Sequence, residues 1–102
     1  MIKNLAELKR TLQIGVTLEM VYSLYPANKL LNIPRKIVTV QTNSIALEGR
    51  EGGRSWLVFR RAEFYQYTED GFKVLEDIRI GRKENGDAIT ERKVLLEYKF
   101  VI

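Results

Sequence analysis

The 102-residue chain contains no cysteine and no histidine. Without cysteine it can form no disulfide, present no thiolate nucleophile and build no thiolate zinc site. Without histidine it also lacks the imidazole ligand and the commonest general base near neutral pH. Carboxylates alone can hold a hard cation, yet no acidic residues follow the spacing of a helix-loop-helix calcium loop. Long hydrophobic runs are missing too: none approaches the roughly 20 residues of a membrane-crossing helix. The opening stretch Met1–Arg10 is broken by Lys3, Asn4, Glu7 and Lys9, unlike the apolar core of a signal peptide. These absences predict a soluble, cytoplasmic protein with no membrane and no disulfide partner, and they assign no catalytic residue, no metal ligand and no cofactor.

What remains is a foldable chain. A hydrophobic fraction of 45% with 29% charged residues lies outside the composition of disordered segments. The length suits one modest core, hence a single domain over residues 1–102. A formal charge of +4 and a pI near 9.5 favour anionic partners mildly. The charge is unevenly spread: residues 29–61 hold seven basic and two acidic side chains, and residues 62–77 hold one basic and five acidic. If the two segments occupy different surfaces, the molecule is dipolar.

Along the chain, Asn4 and Glu7 form a capping-box pattern ahead of a helix over about residues 5–13, with Leu5, Leu8 and Leu12 on one stripe and Gly15 as a stop. Alternation predicts strands at about 17–22, 36–42, 45–48, 55–60, 64–67, 72–75, 78–82 and 92–101. Leu18, Met20 and Tyr22 are expected on one face of the first strand. Val38 and Val40 are expected to share the core with Ile45 and Leu47. Pro26 and Pro34 bound a structured loop whose leucines cover an open end of the sheet, with a helical turn near Ala27–Leu31. Glycines 49, 52 and 53 mark a hairpin loop, and Asn85-Gly86 favours a mirror-image turn.

So many short strands in so short a chain imply strong curvature and sheet edges that need protection. The fold class is therefore mainly β: a small, strongly curved antiparallel sheet or partly closed β-barrel with one N-terminal helix. The alternative is an open antiparallel sheet with the helix packed on one face.

Function has to be argued from surfaces. The nucleic-acid or anion-binding candidates are Lys29, Arg35, Lys36, Arg50, Arg54, Arg60 and Arg61, which could track a phosphate backbone while an aromatic stacks on a base. Trp56 lies in the most hydrophobic strand, apolar on both alternating faces, so the first expectation is burial in the core; an interface or a stacking platform are the other readings. Tyr25, Trp56, Tyr65 and Tyr67 are the interface candidates, since amphipathic aromatics are enriched in protein contacts. The leading reading is a small non-enzymatic binding or accessory protein acting through a protein–protein interface, with a protein partner or a homodimer. Its profile fits small accessory proteins of bacteria or their mobile elements, although no motif ties it to a family. The alternatives are a small nucleic-acid-binding barrel for RNA or DNA using the basic 29–61 segment, and a carboxylate-dependent metal hydrolase or nuclease built on Glu63, Glu69, Asp70, Glu76 and Asp77.

Overall fold

A computed structural model of the chain describes residues 1–102, the Arg50 side chain excepted. Among the described residues it contains one α-helix, α1 (Leu5–Thr11), two short 3-10 turns (Arg50–Gly52 and Ala62–Phe64) and seven strands: β1 (Thr17–Ser23), β2 (Pro34–Val40), β3 (Ser44–Glu48), β4 (Arg54–Val58), β5 (Tyr65–Tyr67), β6 (Gly71–Arg82) and β7 (Ala88–Val101). All strands belong to one antiparallel sheet in the order β4-β3-β2-β1-β7-β6-β5. Each strand pairs with its neighbour in the chain, and β1 also pairs with β7. The one break falls between β4 and β5, so the sheet is not a closed barrel.

The helix starts where its cap predicts. The Asn4 side chain accepts from the Glu7 amide at 2.9 Å, and the Glu7 carboxylate accepts from the Lys3 amide at 3.2 Å. Seven residues are too few to be stable alone. The helix is held because Leu8, and Leu12 just beyond its end, are fully buried, each contributing about 1.5–3 kcal/mol of apolar burial. Their cluster takes Leu57 from β4, Tyr65 from β5 and Leu18, Ile37, Phe72 and Tyr98 from between. Both edge strands thus feed one core, which requires the sheet to bend around α1. After the helix, Gly15 adopts φ 93° and donates its amide to the Ile37 carbonyl at 2.9 Å, passing the chain beside β2.

Two bulges change which residues point inward. In β1 the pairing with β7 shifts between Met20 and Tyr22, so Leu18 and Met20 are buried while Tyr22 turns out and Ser23 turns in. In β2 the shift between Ile37 and Thr39 makes Val38 the extra, half-buried residue, and Ile37 is the core residue; Val40 still stands opposite Ile45 as expected but is exposed at the end of the strand. An extra residue in one strand reverses the facing of what lies beyond it, which turns Tyr22 out and Ser23 in on β1 and lets Ile37 and Val40 face the same side of β2. The loop after β1 forms turns and not a helix, with the Asn28 side chain accepting from the Leu30 amide and Leu31 bridging to Met20.

Residues 72–75 and 78–82 run as the single strand β6, and β7 begins at Ala88, so the last hairpin is far longer than the rest. A 14-residue strand spans roughly 46 Å, which accounts for the 50 Å long axis and a radius of gyration of 15.0 Å where a compact chain of this size gives about 13 Å. The outer half of this hairpin projects as a two-stranded arm with Ile80 and Ile89 exposed. Its tip is not the mirror-image turn: only Gly86 has positive φ (90°), and its amide donates to the Lys83 carbonyl at 2.9 Å. That is a type I turn closed by a left-handed glycine.

At the base of the hairpin Gly71 is buried against β7, and a Cβ there would run into the Tyr98 carbonyl oxygen and lie 2.8 Å from the Lys99 Cα. Both obstacles are backbone. Gly71→Ala should therefore cost about 3 kcal/mol, measured as a lowered urea midpoint; a midpoint equal to the parent's would show that β6 and β7 separate freely at this position.

Candidate functional site

Two strands have a free edge, β4 and β5. On β4, the direction of each backbone group follows from two observed bonds. The Gly49 amide donates to the Gly53 carbonyl at 2.7 Å and the Phe59 amide to the Asn43 carbonyl at 2.8 Å, with unbroken register between them. Counting in twos, Ser55 and Leu57 also bond toward β3, and the amides and carbonyls of Arg54, Trp56 and Val58 point away from it. Among the described residues no strand meets them. β5 is better guarded, being three residues long, with the Tyr65 amide turned to the Ala62 carbonyl by the turn Ala62–Phe64.

The side chains of Arg54, Trp56 and Val58 share the outward face of β4. Trp56 is 48% exposed and Val58 62%, whereas Leu57 between them is buried. The expected core position for Trp56 is thus corrected, and so is two-sided burial of this strand: an edge strand has a single neighbour, and nothing among the described residues covers its outer face. Across β3, Trp56 stands opposite Ala46 and Arg54 opposite Glu48; on β2, Thr39 adjoins Ala46, and Lys36, next to the Ile37↔Leu47 pair, stands beside Glu48. The patch is an exposed indole and valine with Lys36 and Arg54 at one end.

The remaining basic candidates do not join it. Arg35 points inward at 3% exposure. Lys29 is exposed in the loop after β1, two strands away from β4. The Arg50 side chain lies outside the described residues. Arg60 grips β6: its guanidinium bonds both oxygens of Glu76 and the Leu75 carbonyl (2.8 Å), while its amide donates to the Tyr65 hydroxyl at 2.8 Å. Arg61 pairs with Glu63 at 2.9 Å, and Arg92 with Asp77 at 2.8 Å. Arg60 and Arg92 each lie 4.3 Å from the centre of the Phe64 ring. At Arg60 and Arg61 the basic segment therefore meets the acidic one, so the two segments do not occupy separate surfaces there as the dipolar expectation requires. Of the five clustered carboxylates, Glu63, Glu76 and Asp77 are occupied by arginines. No group of three or more acidic residues is placed to hold a metal ion among the described residues, and no helix is long and apolar enough to cross a membrane.

Among the tyrosines, Tyr25 is exposed on the loop after β1, Tyr65 is buried with its hydroxyl on the Arg60 amide, and Tyr67 is half-buried with a hydroxyl that meets no partner. Burial raises the Tyr65 hydroxyl above the ordinary tyrosine value, the Arg60 amide opposing it. Trp56 is thus the interface candidate standing on the open edge. Val58 was not singled out by sequence; its alternation with Trp56 was visible, but its exposure depends on β4 being an edge, a property of strand order. No family model, curated protein or solved structure matches the chain.

Two polar features, one at the surface and one buried, can be tested. Hydrogen bonding to Arg92 holds the Asp77 carboxyl below its ordinary 3.8, with Coulombic help from Arg92, Arg60 and Arg61 against a smaller effect of burial. A carboxylate whose folded value is depressed adds stability above the unfolded value and loses it as pH falls through the folded one. Asp77→Asn should therefore lower stability at pH 7 and make the decline below pH 3.8 shallower, read from urea midpoints across that range; identical acid limbs would mean that the Arg92 contact adds nothing. Buried Arg35 donates from Nη1 to the Glu48 carbonyl at 3.3 Å and stands beside the Tyr98 hydroxyl, opposing the rise that burial imposes on it, while Nε and Nη2 make no hydrogen bond of good geometry. Since each unpaired buried donor costs about 1–3 kcal/mol, Arg35→Met should be at least as stable as the parent in thermal unfolding. A large loss would reveal a partner for that guanidinium.

Proposed function

We propose that the protein is a small non-enzymatic binding or accessory protein that acts through a protein–protein interface formed by the β4 edge and its outward face. One observation carries this reading: β4 is an edge strand with few of the usual guards. It has five residues, no proline, no bulge and one charge, and its two exposed apolar side chains flank unpaired backbone groups. Such an edge accepts an extended segment by strand addition, with backbone hydrogen bonds giving affinity and the alternating side chains giving selectivity. The tryptophan is the natural centre of the contact, because large amphipathic aromatics dominate interface energetics.

A nucleic-acid reading draws on the same indole, with Lys36 and Arg54 near it as phosphate contacts. It has less support, because Arg35, Arg60 and Arg61 are buried or ion-paired and the free cations beside Trp56 are few. The two readings separate in one capture experiment that scores bound protein and bound oligonucleotide. The expected result is protein capture abolished by the double variant Trp56→Ser, Val58→Ser, with its thermal midpoint close to the parent's because both residues are exposed. Salt-sensitive retention of oligonucleotides, lost in Lys36→Ala, Arg54→Ala and without protein capture, would replace the protein-interface reading by the nucleic-acid one.

A further inference from the structure

Resting on the protein-interface reading, we infer that the β4 edge pairs with itself: a second copy of the chain docks antiparallel on β4 about a two-fold axis at Trp56. The outward-pointing backbone groups belong to Arg54, Trp56 and Val58, a set symmetric about its central member. Placing Trp56 opposite the partner's Trp56 brings Arg54 opposite the partner's Val58 and the reverse. In an antiparallel ladder these are all hydrogen-bonded pairs, so every free amide and carbonyl of both edges is satisfied. A shift of two residues in either direction leaves one of the three without its mate and sets Gly52 or Arg60 in its place, the latter already committed to Glu76 and the Tyr65 hydroxyl.

The side chains select the same register. The two indoles lie side by side, a favourable cross-strand pair. Each Arg54 faces an apolar Val58 and reaches the neighbouring indole diagonally, where a cation meets the negative ring face. The two Arg54 charges end up four residues apart, roughly 13 Å, beyond the screening length of about 8 Å at physiological salt. Shifting so that Arg54 faces Trp56 would halve that distance and set the arginines against each other. The face is thus complementary to its own two-fold copy, which is the requirement of an isologous interface.

Because the chain has no cysteine, single cysteines report the register directly. Position 56 faces itself in the proposed dimer, and positions 54 and 58 face each other. Under mild oxidation, Trp56→Cys should form a disulfide-linked dimer, an equimolar mixture of Arg54→Cys and Val58→Cys should cross-link to each other, and either of these alone should not. The cysteine-free parent should show in sedimentation a concentration-dependent mass rising from 11.9 kDa toward twice that value. Val58→Pro should remain at the monomer mass while keeping the parent's circular dichroism, since the amide it removes bonds to nothing within one chain. A parent that stays monomeric into the hundreds of micromolar, or a dimer whose cross-links do not follow this pattern, overturns self-pairing. Trp56-dependent capture of a different protein by a strictly monomeric parent would leave the interface reading standing without it, and absence of both would remove the two together.

Discussion

The pairing of the first strand with the last decides where this sheet is open. β1 and β7 run side by side from Thr17↔Val101 to Ser23↔Leu96, which places both ends of the β-region in the middle of the sheet. Every other pair joins strands adjacent in the chain, so the break must fall at one chain-adjacent step, and it falls between β4 and β5. The connection from Phe59 to Phe64 therefore links the two free edges without pairing them. A contact between strands some eighty residues apart is entropically costly to reach, and chains dominated by such pairings fold slowly. Here that contact determines which strand meets solvent.

Much of the fold was legible in the sequence and the facing of several residues was not, and the distinction has a physical cause. The helix, its cap and the strands around residues 17–23, 44–48 and 54–58 follow from local periodicity, which is set by backbone geometry and needs no knowledge of partners. The bulges at Val21 and Val38 are decisions taken between two strands, so alternation alone put Tyr22 inward and chose Val38 over Ile37 for the core. Trp56 is the same problem at a larger scale. Leu57 and Trp56 look equally apolar in the sequence, and only the order of strands shows that one faces the core and the other faces nothing.

The charge pattern misleads for a related reason. Blocks of opposite sign, 29–61 and 62–77, suggest separated surfaces when written as a line. In three dimensions the crossover carrying Arg60 and Arg61 lies against β6, and Arg92 on β7 completes the cluster around Phe64. Arginines suit this use because a planar guanidinium can bond a carboxylate and lie on an aromatic ring at once. The consequence for function is subtraction: charges committed to holding the crossover are not available to phosphates, and the basic surface implied by a pI near 9.5 is thinner than composition suggests.

The same cluster explains why β4 stays open within one molecule. The strand that would close the sheet, β5, is bound on its far side to β6, and the Arg60 anchor fixes the start of the crossover to Glu76, to the Leu75 carbonyl and to the Tyr65 hydroxyl. Bringing β5 alongside β4 would require breaking bidentate, charge-assisted bonds that are stronger than the neutral backbone bonds gained. β5 in turn spends one of its outward amides on the Ala62 carbonyl, so closure would leave part of the new ladder without donors. Among the described residues β4 has no intramolecular partner along this edge, whose outward side chains are apolar except for Arg54. Its outward amides and carbonyls are left to solvent within one molecule, with the exposed indole and valine beside them.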